Sequence, residues 1–211
     1  MLPRVFPVIL LGALVAAGCT SAPTDDAAYL QKVQEWRVQR DKTWSESTDP
    51  IPAERRSELL PLPYFAPDIS YEVPAELRLS ETRPVVELPT STGELRKMQV
   101  VGTLEFTLRG QKLSLGALSP AGEPIRSLFV PFADLTTGKE TYQAGRYLDI
   151  DPTATGLYTI DFNYAYNPTC AYNKAYSCPF PPPSNRLKIE VRAGEKAPGT
   201  PHEDKEQRRR S

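Results

Sequence analysis

A mainly β fold, an antiparallel β-sandwich or partly closed barrel with one N-terminal amphipathic helix, is predicted by three observations. From about residue 95 onward the apolar residues recur with a period of two, as on strands that bury one face. The apolar runs are short and separated by Gly, Pro, Asn and Asp, with no helices alternating between them, which disfavours an α/β arrangement. Only one stretch, "AYLQKVQEWRVQRDKTW", carries a helical period.

In chain order, that helix places Tyr29, Val33 and Trp36 on one face, with Asp25 and Asp26 at hand to cap its start. Its apolar stripe is expected to pack on the body of the same domain. "AERRSELL" reads as a short second helix, and "PLPYFAPDISYEV" as an ordered, irregular entry into the sheet. In "KMQVVGTLEFTLRGQKLSLGAL", Val100, Leu104, Phe106 and Leu108 share a face, Arg109-Gly110 turns the chain, and Leu113 and Leu115 resume the pattern. Three further strands follow: "SLFVPF" with Leu128, Val130 and Phe132 inward, "LYTIDFNYAY" with Tyr158, Ile160 and Phe162, and "RLKIEVR" with Leu187, Ile189 and Val191.

The first 18 residues, with Arg4, an apolar run from Val5 to Ala17 and small residues up to Gly18, read as an export signal too short to span a membrane. "VAAGC" resembles a lipobox, so Cys19 is expected to be acylated and to become the first residue of the mature chain. The expected location is the cell envelope, lipid-anchored, with the periplasmic face of the outer membrane favoured in a Gram-negative organism because Thr20, not Asp, follows the cysteine. The expected organisation is signal 1–18, lipidated cysteine and linker 19–28, one β-rich domain 29–193, and a disordered polar tail 194–211. Removing the signal takes away only Arg4 and moves the formal charge from −1 to −2. A near-neutral domain of this kind lacks the basic field that nucleic acid requires.

The only histidine, His202, falls in the polar tail, which excludes a Ser-His-acid triad from the body. No metal-binding cluster and no cofactor motif appears. "TTGKE" fails as a phosphate loop because Ala133 stands where a glycine is needed and Glu140 where a hydroxyl is needed. What remains is a chemistry of carboxylates, Tyr, Lys and Arg. Strand alternation puts Asp161 and Asn163 opposite the core face, and Arg146 is read as a bidentate partner for Asp161, either pinning strands or positioning a ligand. Cys170 and Cys178 are expected to form a disulfide in an exported protein, closing a loop that the prolines 179 and 181–183 stiffen. A zinc site lacks further ligands here, and a redox pair usually shows Cys-x-x-Cys spacing. The surrounding tyrosines suit packing or stacking on a sugar or aromatic ligand.

"EWRVQRD", "LPYFAPDISYEV", "LFVPFADLTTGKETYQAGRYLDI" and "IDFNYAYNPTCAYNKAYSCPFPPPSNRLKIEVRAGEK" together resemble the domain of unknown function 1684 family, from about Gln31 to Lys196. The resemblance implies no established activity. Its motif falls on Gly138, Tyr142, Gly145, Arg146, Tyr147, Asp161, Asn163, Tyr166, Asn167, Cys170, Tyr172, Cys178 and Asn185. From these come the ligand-binding candidates Tyr142, Arg146, Tyr147, Asp161, Asn163, Tyr166, Asn167, Tyr172 and Asn185. The leading expectation is a binding or envelope-interaction module for a small ligand or an envelope protein. The alternative is a histidine- and metal-free hydrolase using Asp161 with Tyr142 or Arg146.

Overall fold

The computed structural model describes residues 25–199 except Thr48. Cys19, His202 and the basic cluster 208–210 lie outside the described residues.

Among the described residues, seven strands form one antiparallel sheet curled into a half-barrel: β1 (Glu72–Leu79), β2 (Val85–Pro89), β3 (Leu95–Leu108), β4 (Gln111–Pro120), β5 (Leu128–Phe132), β6 (Arg146–Ile150) and β7 (Leu157–Asp161). The order is β6-β5-β4-β3-β1-β7, with β2 paired to the first part of β3. The partly closed barrel expected from the alternation is therefore present. Arg109 and Gly110, both at positive φ (50° and 75°), make the β3–β4 turn, a geometry that matches the twist of a two-residue hairpin. The concave face is packed by Leu104, Phe106, Leu108, Leu115, Val130, Phe132, Ile160 and Phe162. The β3 alternation slips at one place, a bulge between Val100 and Gly102, so that Val101 is fully buried in the core and Val100 turns to the opposite face. Only glycine fits at 102, where a Cβ would stand 2.3 Å from the Arg78 carbonyl oxygen.

The helix α1 spans Asp25–Glu46, starting inside the segment expected to be linker, and a one-turn helix α2 covers Arg56–Leu59. Val33, Arg37 and Trp44 are the buried residues of α1, and Trp36 meets Tyr164 edge-on at 5.0 Å. The helix thus lies on its own domain through aromatic and guanidinium contacts more than through an aliphatic stripe. Arg40 sits 4.3 Å over the Trp44 ring and 5.2 Å from that of Tyr166.

Two expectations about the C-terminal part need correction. Leu187, Ile189 and Val191 are buried as read, but their segment is not a regular strand. It forms a parallel bridge at Arg186 to Ala133, and beyond it the Leu135 amide donates to the carbonyl of Ile189. The fold also continues past residue 193. The amide of Glu195 donates to the carbonyl of Ala165, Phe65 donates to Gly194, and Lys196 donates to Pro63. The Glu195 side chain is fully buried. Gly194 (φ 77°) permits the turn into this clamp, since a Cβ there would lie 2.5 Å from the Ala165 oxygen.

Candidate functional site

Most polar motif residues are brought into the interior as cross-braces. The expected Arg146–Asp161 pair does not form. Arg146 emerges from β6 into the core, where it is 1 % exposed and pairs with Asp134, just beyond β5, at 2.7 Å. The rest of its fork donates to the carbonyls of Val191, Ala193 and Glu195. Alternation on β6 explains the geometry: Arg146 and Leu148 point inward, so Arg146 cannot reach the polar side of β7, where Asp161 lies. Burial lowers the Arg146 pKa, opposed by the charge of Asp134.

Asp161 instead caps the turn that follows β7, accepting from the amide of Asn163, and accepts from the hydroxyl of Tyr29 on α1. Asn163, fully buried, donates to Tyr29 and to the carbonyl of Asp68 and accepts from the Asp68 amide. Tyr172, Asn167 and the Arg40 guanidinium converge on Glu195. The Tyr172 hydroxyl and the Asn167 amide each donate to its Oε2 at 2.7 Å, and Arg40 pairs with Oε1 at 2.9 Å. Burial, reinforced by the charge of Glu195, pushes the Tyr172 hydroxyl well above the ordinary phenol range. Asn185 staples strands together, accepting from the Gly116 amide at 2.7 Å and donating to the carbonyls of Gly116 and Pro131. Five of the nine candidates, Arg146, Asn163, Asn167, Tyr172 and Asn185, are thus occupied inside the fold. The hydrolase arrangement is not assembled, because Asp161 joins the α1 cluster while Tyr142 stands beside Cys170.

Tyr142, Tyr147 and Tyr166 are different, since each lines a cleft. Tyr147 lies on the convex side of β6, where the alternation that sends Arg146 inward turns it outward. Its ring meets Phe129 at 4.7 Å and Tyr166 at 5.8 Å, both edge-to-face, and its hydroxyl donates to the Pro179 carbonyl. Tyr166 is held against β6 by paired backbone bonds with Tyr147 and donates its hydroxyl to Asp149. Over these rings opens a cleft of about 600 Å³, with Met98 and Phe129 at its apolar wall, Arg96 and Lys97 along one side and Cys178 in its lining. A second cleft of about 600 Å³ holds Tyr142, Cys170, Lys174 and Arg186. Burial and the neighbouring Cys170 push the Tyr142 hydroxyl up to about 12.

The loop between the clefts is rigid for a reason other than the one expected. Cys170 and Cys178 are free, buried thiols, not a disulfide. The cross-link expected from the compartment is replaced by hydrogen bonds to the tip of the β2–β3 hairpin. The Ser91 amide donates to the Cys178 carbonyl at 2.9 Å, the Ser91 hydroxyl to the Tyr176 carbonyl at 3.0 Å, and Arg96 to the Ser177 carbonyl at 3.0 Å. Pro182, at φ −64° and ψ 159°, keeps the extended polyproline geometry. Gly145 (φ 86°) lets Pro181 close on β6, since a Cβ there would lie 2.7 Å from the proline Cγ.

The two thiols hydrogen-bond each other, and Cys178 Sγ also accepts from the Cys170 amide at 3.1 Å and lies 3.6 Å from the Thr169 hydroxyl. The Cys170 hydrogen bond, aided by Thr169 and by the charge of Arg96, holds the Cys178 thiol down at about 6 despite burial. The same bond, together with burial, pushes Cys170 up. Spacing did not reveal this cluster. The donors come from the single turn Thr169–Ala171, and Arg96 arrives from β3.

The family model described as "Protein of unknown function (DUF1684)" matches residues 58–196, the sheet and the C-terminal clamp, and leaves α1 outside the matched stretch. No curated protein matches the chain. Among solved structures, the solution structure of an uncharacterized protein of Haloarcula marismortui is similar, with 40% identity and a TM-score of 0.65. It covers 82% of this chain and 96% of its own.

Proposed function

This chain belongs to the DUF1684 family of proteins of unknown function, so no activity comes with membership, and we propose from its geometry a membrane-tethered envelope module that binds a small ring-bearing ligand. The observation that carries the reading is the cleft over Phe129, Tyr147 and Tyr166. Its aromatic wall is fixed by edge-to-face contacts, its volume suits a mono- or disaccharide or a planar aromatic, and its polar side offers Arg96 and Lys97 to substituents. Because the rings are already held by Pro179, Asp149 and the β6 backbone, binding does not require ordering them first.

The tether is the acylated Cys19. No described helix is long and apolar enough to cross a membrane. The helix α1 begins at Asp25, six residues after Cys19, so the start of the fold lies at most about 20 Å along the chain from the lipid. Radiolabelled palmitate incorporation into the wild-type chain, abolished in Cys19→Ala, is the expected result for the anchor; incorporation in both, or neither, contradicts it. For the cleft, a thermal-shift screen of sugars and aromatic compounds on the full chain is expected to yield stabilising ligands whose effect disappears in Tyr166→Ala. A ligand whose stabilisation survives that change binds elsewhere.

A further inference from the structure

We propose that Cys178, backed by Cys170, is a thiol–disulfide exchange site that takes its disulfide substrate from the tyrosine-lined cleft. This deepens the reading of that cleft as open to ligands, and it rests on three geometric observations. First, the pair sits between the two clefts, with Cys178 lining the one walled by Tyr147 and Tyr166 and Cys170 lining the one that holds Tyr142 and Lys174. Second, the Cys170 amide donates to Cys178 Sγ at 3.1 Å, and the Thr169 hydroxyl, 3.6 Å away, and the Cys170 thiol stand beside it, so the surroundings suit a sulfur that carries negative charge. Third, the loop that carries the pair is held by the Ser91 and Arg96 bonds while both thiols are free, so its shape does not depend on a cross-link. The depressed Cys178 thiol and the raised Cys170 thiol agree with a division into attacking and resolving sulfur. The spacing, with seven residues between the cysteines, differs from Cys-x-x-Cys because the activating amide comes from the turn at Cys170 itself and not from a helix N-terminus.

The chemistry balances without a further reagent. The Cys178 thiolate attacks one sulfur of a substrate disulfide, forming a mixed disulfide and expelling the other half as a thiolate, which takes the Cys170 proton. The Cys170 thiolate then attacks Cys178 Sγ, forming the Cys170–Cys178 disulfide and expelling the second half as a thiolate. Two electrons pass from the dithiol to the substrate, and an external dithiol or two monothiols reverse the process.

The test uses the full chain, pre-reduced under argon, with glutathione disulfide as probe and peptide-mapped mass spectrometry as readout. In the wild type, both thiols are expected to disappear together with release of two glutathione molecules and no lasting adduct. In Cys170→Ser, which keeps a donor toward Cys178, the reaction is expected to stop at one glutathione on Cys178. In Cys178→Ser, the remaining thiol should react at least about tenfold more slowly. Adducts forming on Cys170 as fast as on Cys178, or a native chain that reacts only after unfolding in guanidinium, would overturn the proposal. Should either variant fail to fold, iodoacetamide labelling of the native wild type decides, since Cys178 must be modified at least about tenfold faster than Cys170. A ring-ligand screen without hits would leave a trapped Cys178 adduct untouched. Ligand binding without any adduct would overturn the exchange site alone.

Discussion

Replacing Arg146 by alanine should remove most of the stability of this domain. The guanidinium is 1 % exposed and is spent entirely inside the protein, on the Asp134 carboxylate and on the carbonyls of Val191, Ala193 and Glu195. Truncation leaves Asp134, itself fully buried at its side chain, as an uncompensated charge, a loss of about 3–5 kcal/mol. Three carbonyls lose a charged donor as well, at about 1 kcal/mol each. The sum, about 6–8 kcal/mol, stands against the 5–15 kcal/mol of a typical domain and corresponds to a fall in melting temperature of about 12–32 °C. The assay is guanidinium unfolding of the full chain, followed by far-UV circular dichroism and by the fluorescence of Trp36 and Trp44, with the denaturant slope compared between variants. A loss below about 1 kcal/mol at unchanged slope would refute the placement of Arg146 as the brace between β6, Asp134 and the C-terminal segment.

Other perturbations separate the remaining braces. Asp161→Asn keeps an acceptor for the Asn163 amide but weakens the bond from Tyr29, so the expected loss in the same assay is only about 1–2 kcal/mol. Asn185→Ala leaves the Gly116 amide and two carbonyls unpaired in the interior and should lose about 3 kcal/mol or more, read from the unfolding midpoint. Gly194→Ala forces a Cβ to within 2.5 Å of the Ala165 oxygen at a φ of 77°, and is expected to loosen the C-terminal clamp, visible as proteolytic cleavage near residue 194. In the reduced chain, stability should also depend on pH through the thiol pair. Cys178 is an acid held at about 6 in the folded state against about 8.5 when unfolded, so its contribution is present above about 8.5 and is lost as pH falls through about 6. Cys170, pushed up, opposes this only above about 8.5. Unfolding midpoints of wild type minus Cys178→Ser should therefore rise between those two values. Parallel curves would contradict it.

The alternation of Leu128, Val130 and Phe132, and of Tyr158, Ile160 and Phe162, was legible because burial on a curled sheet follows strand parity directly. The Arg109-Gly110 turn was legible from its chemistry. The partner of Arg146 was not, since the choice between Asp134 and Asp161 depends on which face of β6 meets which strand, and that is set by strand order. Leu187, Ile189 and Val191 carried a true burial pattern but a false ladder, because past the bridge at Arg186 the carbonyls of Val191 and Ala193 accept from Arg146 in place of a neighbouring strand. Glu195 read as tail because the stretch from Gly194 onward contains no aliphatic residue larger than alanine. Only the convergence of Arg40, Tyr172 and the Asn167 amide makes its burial tolerable. The disulfide was inferred from compartment and loop size, neither of which reports the hydrogen bonds from Ser91 and Arg96 that already fix the loop.

The separation between buried motif braces and an aromatic recognition cleft is tested most directly by an amide chemical-shift map of the full chain, titrated with a stabilising sugar or aromatic compound. The account predicts the largest shifts at Met98, Phe129, Tyr147, Tyr166 and Ser177. Shifts centred on Tyr29, Asp161 and Asn163, with the cleft unmoved, would contradict it.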